Sequence, residues 1–217
     1  MIPETFTDDI APALPSSLNG PLQVVDPADQ NSWVKIDPAN AIIALTGSAR
    51  PKRRVIIPYS RVYATATAST IGVVLPAYYV TSITNGGFHG SPIPIPDDMD
   101  LTEPASVYVL VAPLTSSTQT GPVVRFVLSY TYGKPLEVPT DSSITYDWTA
   151  PDNWTADEPR SVLLDDGNAR TIAANTFEQG DELGLRISRL GTAPEDTFNK
   201  AVKFAARLVL EYTAKNL

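Results

Sequence analysis

Val202, Phe204, Ala206, Leu208, Leu210 and Tyr212 take every second position near the end of this chain, with Lys203, Ala205, Arg207, Val209, Glu211 and Thr213 between them. Successive side chains of a strand point to opposite sides, so a period of two marks a strand with one buried face. Helical spacing offers a rival stripe of Phe198, Ala201, Val202, Ala205, Leu208, Val209 and Tyr212, but it leaves Phe204 and Leu210 off the face. We read a strand. The upstream Val124, Phe126, Leu128, Tyr130 and Tyr132 repeat the alternation with residue types that favour pleated surfaces. At about 25 cal/mol per Å² of apolar area, covering such a face with a second sheet contributes several kcal/mol.

Shorter strand signals recur upstream at 41–45, 54–57, 61–67 and 71–84, the last broken at Pro76, and later at 144–148, 161–164 and 171–177. Asn85-Gly86-Gly87-Phe88-His89-Gly90 reads as a turn. Two β-hairpins are expected, one joining 106–112 to 123–132 and one joining Leu183–Leu190 to the last strand. Many short strands separated by Gly, Pro and Asn clusters indicate an all-β antiparallel sandwich or barrel over residues 41–217. Residues 1–40 carry Pro3, Pro12, Pro15, Pro21, Pro27 and Pro38 and little periodicity, so we expect an extended arm. Its apolar residues, Phe6, Ile10 and Leu14 among them, suit docking on a partner surface or on the arm's own domain.

The 217 residues carry a net charge of -8, which argues against general affinity for nucleic acid or an anionic membrane. Cysteine is absent, which excludes disulfides, thiol catalysis and thiolate metal sites. The N-terminus shows no secretory segment, and the longest apolar run, 71–80, is about half of the roughly 20 residues a membrane helix needs. Synthesis in a cytoplasm is the expectation.

Catalytic chemistry has little to work with. The one histidine, His89, lacks a Gly-x-Ser-x-Gly nucleophile turn beside it, and one imidazole without thiols cannot build a zinc site. No phosphate-cradling glycine motif occurs, so neither an enzyme nor a cofactor is expected. Asp97, Asp98 and Asp100 form the carboxylate group best placed to offer oxygens to calcium, or else initiate turns. The basic group Arg50, Lys52, Arg53 and Arg54 reads as a solvated turn, a contact for an acidic partner, or a phosphate contact. Tyr146 and Trp154, near Asp152 and Asn153, form a candidate glycan face, with Trp148 pointing inward by parity and Trp154 the better exposed ring.

One resemblance adds to this reading. Gly180-Asp181-x-Leu183-x-Leu185-x-Ile187-x-Arg189, then Asp196-Thr197-Phe198 and Leu208-x-Leu210-x-Tyr212, resembles the C-terminal strands of small jelly-roll structural proteins of bacteriophage virions. Pro94-Ile95-Pro96-Asp97-Asp98-Met99-Asp100-Leu101, leading to strands that end near Tyr130, is similar to their central region. The resemblance spans about 90–217. It implies a jelly-roll sandwich and a capsid, capsid-decorating or vertex protein of the virion, usually a homotrimer contacting neighbouring virion proteins. A carbohydrate- or receptor-binding sandwich module is the alternative.

Overall fold

The structure, a computed structural model, describes residues 50–165 and 171–215, except for the Tyr63 side chain, and the backbone of the strands within 22–45. The chain divides into two compact units, Met1–Pro51 with Ala214–Leu217, and Lys52–Thr213.

In the first unit β1 (Leu22–Asp26), β2 (Asp29–Asp37) and β3 (Ile42–Leu45) form an antiparallel three-stranded sheet in the order β1-β2-β3. An irregular arm was expected over 1–40, and from Leu22 onward the described part is sheet instead. The strand bounds explain the difference: Pro21, Pro27 and Pro38 fall outside β1 and β2 in the sequence, so no proline interrupts either strand. The unit also extends past residue 40, to Pro51. Phe6, Ile10 and Leu14 lie outside the described residues.

The second unit is a two-layer sandwich, and its strands are β4 (Lys52–Ala64), β5 (Thr67–Ile71), β6 (Leu75–Val80), β7 (Asn85–Gly90), β8 (Ile93–Pro94), β9 (Ser106–Pro113), β10 (Val123–Gly133), β11 (Thr140–Thr149), β12 (Arg160–Leu163), β13 (Glu182–Leu190) and β14 (Val202–Thr213). Its principal strands pair in the orders β4-β14-β9-β12 and β7-β13-β10-β11, all antiparallel. This is the double Greek key of a jelly roll. The β5–β6 hairpin is added beside the N-terminal half of β14, and β8 beside β13.

Neither expected hairpin forms. β9 pairs with β12 and β14, while β10 pairs with β11 and β13, so the chain crosses from one sheet to the other between β9 and β10, and again between β13 and β14. Alternation fixes which face of a strand is buried and says nothing about its neighbour. A core-crossing connection satisfies it as well as a turn does. β10–β11 is the hairpin that does form, in register from Val123↔Thr149 to Tyr132↔Thr140.

The two inner faces meet around Phe204 of β14. Its ring lies edge-on to Phe126 of β10 at 5.7 Å and to Phe88 of β7 at 6.2 Å. Val107, Val109, Val111, Val124, Leu128, Ile187, Leu208 and Leu210 complete this core. Each is worth about 1.5–3 kcal/mol when fully buried. β14 remains a strand despite its helix-like stripe, and a register shift against β9 between Phe204 and Leu208 marks where it changes neighbour from β6 to β4. Four residues separate these positions, an even step, so the inward parity survives the bulge.

The Gly-rich segment expected to turn is strand β7. A Cβ on Gly87 would sit 1.9 Å from the Ile187 carbonyl oxygen, so glycine here serves close approach to β13 rather than turning. The two short signals at 54–57 and 61–67 merge into β4. Lys52–Pro58 pairs with β14 in one sheet, and Tyr59–Ala64 pairs with β7 in the other after a shift between Tyr59 and Arg61. The expected strand at 171–177 is reduced to one bridge, Ala105↔Ile172.

Candidate functional site

The acidic and basic groups singled out in the sequence are committed to holding the fold. Asp98 accepts the Tyr212 hydroxyl at 2.8 Å and pairs with Arg53 at 2.6 Å. Burial, reinforced by the hydrogen bond to Asp98, pushes Tyr212 up to about 12. Asp100 accepts the Thr102 amide and hydroxyl, an Asx-type turn, while Asp97 accepts Gln179 Nε2 at 2.7 Å. The three carboxylates therefore face three different partners. Among the described residues no group of three His, Cys, Asp or Glu converges to hold a metal ion.

The basic group is dispersed in the same way. Arg50 is buried and donates to the Ala214 carbonyl at 2.9 Å within the first unit. In the second unit Lys52 donates to Thr213, and Arg54 pairs with Glu211 at 2.7 Å while lying 5.8 Å from the centre of the Tyr108 ring. Apart from Arg53, these side chains clamp β4 and the chain before it to the C-terminal segment. Each of the four basic side chains has an intramolecular partner, while those of Arg53 and Arg54 stay largely exposed, at 55% and 67%.

Trp154, expected to be exposed, is fully buried. Its ring packs edge-on against Trp148 at 5.2 Å and at a tilt against Phe198 at 5.6 Å, and its indole N–H donates to the Glu158 carbonyl at 2.9 Å. A large ring with an internal partner for its one polar atom gains more from burial than from display, even in a proline-rich loop. Tyr146 shares the inward parity of β11, opposite Phe126, and is half-buried against the core, which raises its hydroxyl pKa, with the Asp165 charge adding to the effect. The two rings form no shared outward platform.

The outer face of β7-β13-β10-β11 carries a different feature. One row of cross-strand partners runs Arg61↔His89↔Arg186↔Ser129↔Ser143, through β4, β7, β13, β10 and β11 in turn. The next row holds Gly184, Thr131 and Asp141, with the Thr131 hydroxyl donating to Asp141. Together with Ser60, Pro92 and Ser142 these residues line a groove of about 570 Å³, and a smaller depression of about 290 Å³ continues past Gly184 toward Lys134 and Glu182. Arg186 donates to Ser129 at 3.0 Å. His89, a β7 strand residue rather than a loop residue, has its pKa pulled below the ordinary imidazole value by partial burial and by the charges of Arg61 and Arg186.

The sequence reading missed this groove. Its residues are the polar halves of alternating strands, and only the register brings Arg61, His89 and Arg186 side by side although they are 28 and 97 positions apart.

No protein-family model matches the chain, and no curated protein matches it in sequence. Among solved structures the chain is similar to the enzymatically active domain of tailspike protein 4 of bacteriophage CBA120, at 8% identity and a TM-score of 0.35, covering 73% of this chain and 19% of that one. It is also similar to a carbohydrate-binding module of the β-sandwich superfamily, at 10% identity, a TM-score of 0.34, and 87% and 73% coverage of the two chains. A third is infectious bursal disease virus, Gt strain, at 12% identity, a TM-score of 0.30, and 93% and 42% coverage. The chain thus spans about a fifth of the length of the tailspike domain. These similar structures include viral proteins and carbohydrate-binding modules alike.

Proposed function

We propose that this chain is a non-catalytic jelly-roll structural protein of a viral particle, working by association with copies of itself, as a homotrimer, and with neighbouring virion proteins. The observation that carries the reading is Leu136, at the tip of the β10–β11 hairpin. Its side chain is fully exposed, and its backbone φ is +73°, a left-handed conformation that costs a non-glycine residue about 1–2 kcal/mol. Neither solvation nor backbone preference favours leucine there, and Val138 beside it is equally exposed. Apolar side chains held out on a strained tip fit insertion into a neighbouring copy. The internal use of the acidic and basic groups also supports a scaffold over a catalyst.

The test is the oligomeric state of the full chain by light scattering and native mass spectrometry, with electron microscopy for symmetry. A defined oligomer that dissociates on Leu136→Asp and Val138→Asp, with unchanged thermal stability, is expected. A monomer at every attainable concentration overturns the reading.

A second reading, a saccharide- or receptor-binding sandwich on the same particle, is favoured by the polar groove on the outer face of β7-β13-β10-β11. Its volume lies in the range of small-ligand sites.

A further inference from the structure

Arg61 and Arg186 flank His89 on its two neighbouring strands, each directly opposite it in register. Facing side chains in such pairs stand about 4.5–5.5 Å apart at Cβ, so the two guanidinium-bearing side chains rise on either side of the imidazole. The chain has only 16 Lys and Arg against 24 Asp and Glu, yet it sets two arginines around its one histidine on the floor of an open groove. Two guanidinium groups gathered in one concavity offer an anionic ligand paired, charge-assisted hydrogen bonds.

The rest of the lining narrows the ligand. Beyond the cations, the groove offers the hydroxyls of Ser60, Ser129, Thr131 and Ser143 and one carboxylate, Asp141. These groups suit a polyhydroxylated molecule. Tyr130 borders the groove, but its ring is buried in the core, so no aromatic platform is presented for stacking a neutral sugar. A long polyanion such as nucleic acid is opposed by the net charge of -8. Gly184 leaves the floor of the groove without a side chain.

Building on the saccharide-binding reading, we propose that this groove binds an acidic saccharide. Arg61 and Arg186 hold its carboxylate or sulfate, and Asp141, Ser129, Thr131 and Ser143 hold its hydroxyls. Guanidinium forks give such anions paired, charge-assisted hydrogen bonds. His89 between them adds a third donor whenever it is protonated.

The experiment is an NMR titration of the isotope-labelled full chain with sialyllactose, a glucuronate-terminated disaccharide, lactose and sodium sulfate. The acidic sugars are expected to shift the amides of Arg61, His89, Ser129 and Arg186. Arg186→Gln is expected to weaken them about tenfold or more, the equivalent of one hydrogen bond to a charged group. Gly184→Leu provides a steric control: a Cβ there meets nothing closer than 3.8 Å and the backbone is unstrained, so the variant should fold and block the groove. Lactose binding in the groove as tightly as the acidic sugars overturns the acidic assignment and leaves the saccharide reading standing. Sulfate binding as tightly as the acidic sugars reduces the groove to a plain anion site and overturns the saccharide part. Absence of binding by every sugar overturns both.

Discussion

Arg189 and Asp196 form a bidentate ion pair with both side chains shut off from solvent, Nη2 to Oδ1 at 2.6 Å and Nε to Oδ2 at 2.8 Å. The remaining guanidinium donors go to the carbonyls of Lys200, Phe198 and Val80, and Asp196 also accepts the Arg125 amide. The pair therefore fixes the segment that carries the chain from β13 across to β14. Asp196→Ala strands a buried guanidinium, and the expected loss is about 3–5 kcal/mol in urea denaturation. A loss below about 1 kcal/mol would mean that water reaches the site and the pair is not buried in solution.

Trp154 belongs to the interior. Trp154→Ala is expected to cost about 3–5 kcal/mol, the range for removing a large aromatic from a core. Thermal unfolding followed by circular dichroism checks it. A variant as stable as the parent would place the ring back on the surface.

Tyr212 gives the fold an alkaline limit. Its pKa rises from an ordinary 10 to about 12 in the folded chain, so the neutral phenol is the form the fold favours. That contribution is complete below about pH 10 and is lost as pH rises through about 12. Chemical denaturation across this window should show the stability advantage of the parent over Tyr212→Phe shrinking with pH. An advantage that stays constant or grows contradicts the assignment.

Gly87 has no room for a methyl group. Gly87→Ala is expected to break the β7–β13 pairing, because the new Cβ would lie 1.9 Å from the Ile187 oxygen and 2.6 Å from the Ser188 Cα, both backbone atoms. Overpacking of this kind costs about 1–3 kcal/mol or more. Faster hydrogen exchange at Phe88 and Ile187 in the variant is the readout. Unchanged protection there would show that the strands do not approach so closely.

How legible all this was from the sequence depended on what period two encodes. Val124, Phe126, Leu128 and Tyr130 were placed inward correctly, as were Phe204, Leu208 and Leu210, because parity alone decides the face. Parity does not decide the neighbour, and both supposed hairpins turned out to be crossings between sheets. Glycine was ambiguous for a related reason: Gly86, Gly87 and Gly90 match a turn in composition, and only close neighbours far away in sequence explain them as strand, β13 at Gly87, Ile57 at Gly90 and the Thr65–Ala66 backbone at Gly86. Prolines at 21, 27 and 38 looked like breakers and are boundaries. At the candidate sites, Asp98 and Arg53 looked available as separate charges and are each other's partner across 45 positions. Trp154 was judged by its loop composition, whereas its environment is set by Trp148 and Phe198. The Arg61–His89–Arg186 row was invisible for the complementary reason, since no local pattern predicts a row assembled from three strands.

The first strand of the sandwich, β4, closes it by pairing with the last, β14, with Arg54 meeting Glu211 across 157 positions. During synthesis β4 has no β14 to pair with until nearly all of the second unit has been made. The earlier strands emerge with exposed edges and an uncovered inner face, and closure comes late, as a long loop-closing event of the kind that makes folding slow. A cell making many copies of this chain would hold a standing population of unclosed sandwiches, each exposing the β4 edge that β14 will later occupy.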